Sequence, residues 1–205
     1  MKILNKSNRP QVIDEQVVVP KDDVLISVTD PKGIITDAND IFVKISGYSK
    51  EELVGANHNL IRHPDMPRVM FKVVWDHIKD RENIMAVVKN LRKDGKYYWV
   101  ITDFVTQVDE DRNIVSYTAY RRAAKDCVLK TIEPMYKALK AIEDFAGMEA
   151  AEHFLMDFLE RRRESYDDFV EHLIVNTCEK EDIKKAYEAG TDEEKKGFFN
   201  RFFGI

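Results

Sequence analysis

Ile84 to Arg92 and Tyr97 to Val108 are long runs rich in β-branched and aromatic residues, with only the short link around Lys93-Asp94-Gly95 between them. Asp-Gly in so short a link is a strong hairpin signal, because the turns that match strand twist need backbone at positive φ. This spacing predicts two antiparallel strands and ties the whole region to an antiparallel sheet. A further strand, Ile114 to Tyr120, follows the polar turn Asp109 to Asn113. Upstream, Val24 to Val28 is halted by Thr29-Asp30-Pro31-Lys32-Gly33, after which Ile34-Ile35-Thr36 resumes, so the first pair also reads as a hairpin.

Between the two hairpins the period changes. Asp37-Ala38-Asn39-Asp40 supplies helix caps ahead of Ile41, Phe42 and Ile45, and Gly47 ends that short helix. Ser49 with Glu52 forms a capping box for a second, which Gly55 stops. Pro67 suits the first turn of a longer helix to about Lys79, with Met70, Phe71, Val74, Trp75 and Ile78 along it. The order β-β-α-α-α-β-β-β predicts an α+β fold: a five-stranded antiparallel sheet with short helices on one face.

The remainder is helical and polar outside. Val128, Ile132, Met135, Leu139 and Ile142 step by four and three residues as a helix–helix seam does, with Pro134 predicting either a kink or a break. After Gly147, Phe154 to Ile174 reads as one long helix. Two shorter ones follow, near 180–189 and 192–203, the last capped by Thr191 with Glu194. Phe198, Phe199, Phe202 and Phe203 make a dense apolar face there, either packed on neighbouring helices or open to a partner. Three parts result: a lead segment 1–19, flexible or a short packed helix; a domain over 20–123; and an all-helical extension over 124–205.

The net charge of −5 comes from the extension, since acidic and basic side chains balance over 20–123. That distribution excludes the one-sided basic field of a nucleic-acid binder. No apolar stretch approaches the ~20 residues of a membrane span, and the N-terminus lacks a signal peptide, so the chain is expected in the cytoplasm without direct membrane insertion. Gly-rich phosphate loops, HExxH, GxSxG and kinase motifs are absent, which argues against an enzyme. Cys127 and Cys178 stand in no ligand spacing and are expected as thiols in a reducing compartment; no metal site is predicted.

Gly33 to Asp40 and Ile45 to Gly55 resemble the opening of a PAS domain. His58-Asn59-Leu60-Ile61-Arg62-His63-Pro64-Asp65-Met66-Pro67, then Trp75, Val88 to Gly95 and Tyr97-Tyr98-Trp99-Val100 are similar to the aerotaxis-receptor PAS subfamily. The resemblance implies a PAS fold over 20–123 and non-covalent FAD, with Asn39, Arg62, His63, Asp65, Trp75 and Asn90 as the flavin-binding positions. It further implies redox or energy sensing for taxis, in trans to a membrane-bound chemoreceptor. The C-terminal helices would serve for docking or as a homodimer contact. One departure stands out: the subfamily's Trp-x-Gly is replaced by Ile84-Met85-Ala86. That change favours an alternative, a ligand-free PAS scaffold for protein association. A haem sensor is the less favoured third reading, with His58 or His77 as candidate ligand.

Overall fold

The computed structural model describes residues 9–178. Five strands form one antiparallel sheet: β1 (Leu25–Thr29), β2 (Ile35–Ala38), β3 (Ile84–Leu91), β4 (Tyr97–Val108) and β5 (Ile114–Ala123), in the order β2-β1-β5-β4-β3. Between β2 and β3 come α1 (Asp40–Ser46), α2 (Lys50–Leu53), a 310 helix (His58–Ile61) and α3 (Arg68–Lys79). The local signals act as expected. Asn39 Oδ1 accepts from Phe42 N to start α1, Gly47 ends it at φ 76°, and Ser49 with Glu52 closes a capping box on α2.

The β3–β4 hairpin turns at Gly95, whose φ of 89° suits glycine alone. A Cβ there would also stand 2.1 Å from the Gln11 carbonyl, because the lead segment runs across this turn. Ile13 N donates to Gly95 O, Tyr97 N to Glu15 O and Val17 N to Tyr97 O, so this part of the lead is extended backbone rather than a helix. The physical reason is the free edge at the start of β4, whose peptide groups need partners.

The extension returns over the sheet as α4 (Asp126–Ala146), α5 (Met148–Arg162), α6 (Tyr166–His172) and a π-helical turn (Leu173–Cys178). Helix α4 runs unbroken through Pro134 and buries Val128, Ile132, Tyr136 and Leu139. Its Tyr136 ring lies 6.2 Å from Trp99, and its hydroxyl donates to Val87 O at 2.8 Å. The sheet is thereby covered on both faces, by α1–α3 on one side and α4 on the other. The single long helix expected over 154–174 is two: Arg163 turns left-handed at φ 57°, and Ser165 with Asp168 caps α6. Cys127 and Cys178 are joined in a disulfide, 51 residues apart, where free thiols were expected. The helical return brings the start of α4 against the end of the π turn, a juxtaposition that spacing in sequence does not encode. The helices read over 180–189 and 192–203, with the Phe198–Phe203 face, lie outside the described residues.

Candidate functional site

Side chains of a strand alternate between faces, and the sheet face toward α3 carries Ser27 and Thr29 of β1, Val88 and Asn90 of β3, Phe104 of β4, and Tyr117, Ala119 and Arg121 of β5. With Phe71, Val74, Trp75 and Ile78 of α3, and with His58, Ile61 and Arg62, they enclose a cavity of about 240 Å³. Three features shape it. Trp75 meets Tyr117 edge-on at 5.6 Å. Gly33, at φ 79°, gives the indole room to lie where any Cβ would be only 3.3 Å from its ring. The chain from the 310 helix crosses the edge of β3, where Arg62 bridges Asn90 by backbone and Lys89 N approaches Met66 Sδ at 3.3 Å.

Of the six residues singled out from sequence, the structure brings Arg62, Trp75 and Asn90 to this cavity. Arg62 is half-buried, donates to Met66 O at 3.1 Å and lies 4.4 Å over the Phe71 ring; burial holds its pKa below the ordinary arginine value. Asn90 is buried, and its Nδ2 has no hydrogen-bond partner among the described residues. The cross-strand Tyr98 side chain is its nearby polar neighbour, and the amide keeps a donor free for an acceptor in the cavity.

The other three do not line it. Asn39 is used up locally: its Oδ1 accepts from both Phe42 N and Ile26 N, and its Nδ2 donates to Val24 O at 2.8 Å. His63 and Asp65 belong to a second hollow beyond the β3 edge, with Lys89, Tyr97, Trp99 and Tyr136. There Lys89 Nζ pairs with Asp65 at 2.9 Å, and His63 Nδ1 accepts from Asp65 N. Burial and the Lys89 charge push the His63 pKa down to about 4.

Two groups that the motif reading did not assign to a flavin face the cavity instead. Arg121 Nη2 donates to His58 Nε2 at 2.8 Å, and its Nη1 donates to Ser27 Oγ at 2.9 Å. An arginine can only donate, so Nε2 carries the lone pair and the His58 proton sits on Nδ1. Desolvation, then the Arg121 charge, push the His58 pKa down to about 3. This lone pair is already committed, so His58 has nothing to offer an iron. His77 lies outside the cavity, its Nδ1 bound to Val73 O. The signal for Arg121 was present in the alternation Tyr117-x-Ala119-x-Arg121, which sets all three on one face.

The depressed histidines give a pH dependence with a definite sign. Unfolded, both take up protons near the ordinary value of about 6.5; folded, they resist until about 3 for His58 and about 4 for His63. The stability they contribute is complete above pH ~6.5 and is lost as pH falls through the folded values. Denaturant midpoints measured from neutral pH toward pH ~4 are expected to fall, and to fall less steeply in His58→Asn. Equal slopes in the two proteins would show that His58 is not held neutral.

Residues 35–121 match the family model described as PAS fold. The aerotaxis receptor of Escherichia coli is 42% identical over 135 residues, 66% of this chain and 26% of that protein. The bacterioopsin transcriptional activator of Halobacterium salinarum is 31% identical over 113 residues, covering 55% of this chain and 16% of its own length. The nitrogen fixation regulatory protein of Klebsiella pneumoniae is 29% identical over 105 residues, 51% of this chain and 21% of that one. The chain thus spans about a quarter or less of these relatives. Among solved structures, a light-oxygen-voltage domain studied with a flavin analogue aligns over 54% of this chain and 87% of its own, at 24% identity and a TM-score of 0.49.

Proposed function

We propose that this chain, which has a PAS fold, is a redox or energy sensor that holds FAD non-covalently between its sheet and α3 and signals through its C-terminal helices. The observation that carries the reading is the cavity itself: aromatic walls, a buried Asn90 amide without a hydrogen-bond partner among the described residues, and two arginines around one partly open space. Its ~240 Å³ falls just below the ~300–1,000 Å³ of sites that enclose a drug-sized ligand. That is room for a flat ring system and not for a whole dinucleotide.

Phe71, Trp75, Phe104 and Tyr117 would bound the ring with apolar surface, and Asn90 would offer its edge both a donor and an acceptor. Arg62 supplies a fixed positive charge suited to a phosphate. When bound, a flavin supplies electron transfer between states of different charge. The protein's part is to hold the ring and exclude water. A change at Arg121 or Asn90 can travel a short way, since β5 ends at Ala123 and α4 starts at Asp126. A coupling of ~1–3 kcal/mol between pocket state and helix packing is enough for a signal. The resemblance to aerotaxis receptors supports a chemotaxis transducer as the receiver, reached in trans from the cytoplasm. No described helix is long and apolar enough to cross a membrane.

The test is the absorption spectrum of the purified chain, followed by identification of any cofactor released on heating. FAD in the wild type and about tenfold weaker flavin binding in Asn90→Ala, equivalent to one buried hydrogen bond, are expected. Colourless protein that takes up no added FAD would refute the proposal. Unaltered affinity in Asn90→Ala would remove that residue from the site.

A second reading, an association scaffold without ligand, is favoured by one contact. Where the subfamily has Trp-x-Gly, the Met85 N–H donates to Asp167 Oδ1 of α6 at 2.7 Å, so this edge is used to dock the extension. Colourless protein that still binds a transducer would support it.

A further inference from the structure

Arg121 is among the largest fully buried side chains, 2% exposed, and it faces the cavity from β5. Its partners are all neutral: Ser27 Oγ, Ala119 O at 3.2 Å and His58 Nε2. The Phe42 ring lies 5.1 Å from the guanidinium carbon. No carboxylate pairs with it among the described residues. Burial lowers its pKa to about 10, which still leaves it charged at neutral pH. An interior cation without a counter-charge is costly, and buried charges are as a rule paired. The three neutral bonds engage only part of a guanidinium's five donors.

A purely structural role explains this poorly. Ser27, His58 and β5 could be tied by an uncharged amide, with no charge to desolvate. The arrangement instead fixes the guanidinium in place beside a cavity whose lining, among the described residues, contains no carboxylate.

We infer that Arg121 is the charge-selecting residue of this cavity: the ligand sets an electron-rich edge, an imide or a carboxylate, against the guanidinium, and its negatively charged state is held in preference to its neutral one. Only the identity of the ligand rests on the flavin reading; in a flavin the edge is the imide side of the ring. Ser27 and His58, which line the same cavity, are positioning residues that hold the guanidinium in place.

The test compares the wild type with Arg121→Gln, which keeps a donor and removes the charge, and with Arg121→Lys, which keeps the charge. FAD is titrated into each, oxidised and after dithionite reduction, and the midpoint potential is measured. Arg121→Gln is expected to lose at least tenfold more affinity for reduced than for oxidised FAD. That lowers the potential by about 30 mV per tenfold for a two-electron couple. Arg121→Lys is expected to restore most of the difference. Wild-type potential in Arg121→Gln with FAD bound would overturn the inference. If the wild type takes up no FAD, the flavin reading fails and the inference is judged on thermal shifts with benzoate-type carboxylates against the matching carboxamides. Stabilisation by the carboxylates alone supports it, and equal response to both overturns it. The same comparison on the wild type decides the matter if Arg121→Gln does not fold.

Discussion

Cys127→Ala is expected to lower the thermal midpoint of the oxidised protein by roughly 10 °C. The bond closes a loop of 51 residues between the start of α4 and the end of the π-helical turn. Loop-closure entropy for that length is worth about 4 kcal/mol, and each kcal/mol moves the midpoint of a chain this size by about 2–4 °C. Both cysteines are buried among apolar neighbours, so alanine is a better replacement than a polar residue. Melting curves of the wild type with and without a thiol reductant, beside Cys127→Ala and Cys178→Ala, measure the effect. The reduced wild type should approach the variants. If all four curves coincide, the cross-link contributes nothing and the helices hold themselves. In a reducing cytoplasm the pair would stand as thiols, and the reduced curve then describes the working protein.

Glu143→Ala is expected to cost about 2–3 kcal/mol, a drop of roughly 5–10 °C. Helix α3 begins without a side-chain cap of its own. Its first turn is completed from α4 instead, where the buried Glu143 carboxylate accepts from Val69 N at 2.6 Å and lies 3.5 Å from Arg68 Nε. A carboxylate at a helix N-terminus satisfies an open N–H and opposes the positive end of the helix dipole. Removing it leaves that N–H buried and unpaired, which sets the magnitude. Glu143→Gln keeps an acceptor and loses the charge, so it should lose less than half as much. The consequence reaches the cavity, since α3 carries Phe71, Val74 and Trp75 into its wall. A Glu143→Ala protein that melts with the wild type would show that α3 needs no cap from the extension.

Three contacts explain why the extension is more than an appendage. Glu143 reaches the start of α3, Lys72 of α3 pairs with Glu152 of α5 at 2.7 Å, and Asp167 of α6 holds the edge of β3. Each joins an element of the cavity wall to a helix of the extension. A displacement of α3 or β3 by a change in the pocket therefore has a direct mechanical outlet. Lys72 and Glu152 are each about a third exposed, so water still screens the pair and it adds little stability.

What the amino-acid order determined by itself is whatever short-range chemistry dictates. The strand runs, the Asp94-Gly95 turn, the Asn39 cap and the Ser49–Glu52 box all act within a few residues, and the expected β-β-α-α-α-β-β-β order follows from them. The 310 helix at His58–Ile61 and the Ser165–Asp168 box were equally local, but the apolar stripe running from Phe154 to Ile174 masked the second. The tertiary structure alone decided which polar groups meet. Asn39 looked like a ligand contact, yet its amide is consumed by α1, Ile26 and Val24. His63 and Arg62 are neighbours in sequence, and the crossing of the β3 edge sends one to each hollow. Alternation places Arg121 on one face with Tyr117 and Ala119, but its burial and its partners exist only once β1 and the 310 helix close around it. Burial, counter-charge and cavity shape are sums over residues far apart in the chain, and no window of the sequence contains them.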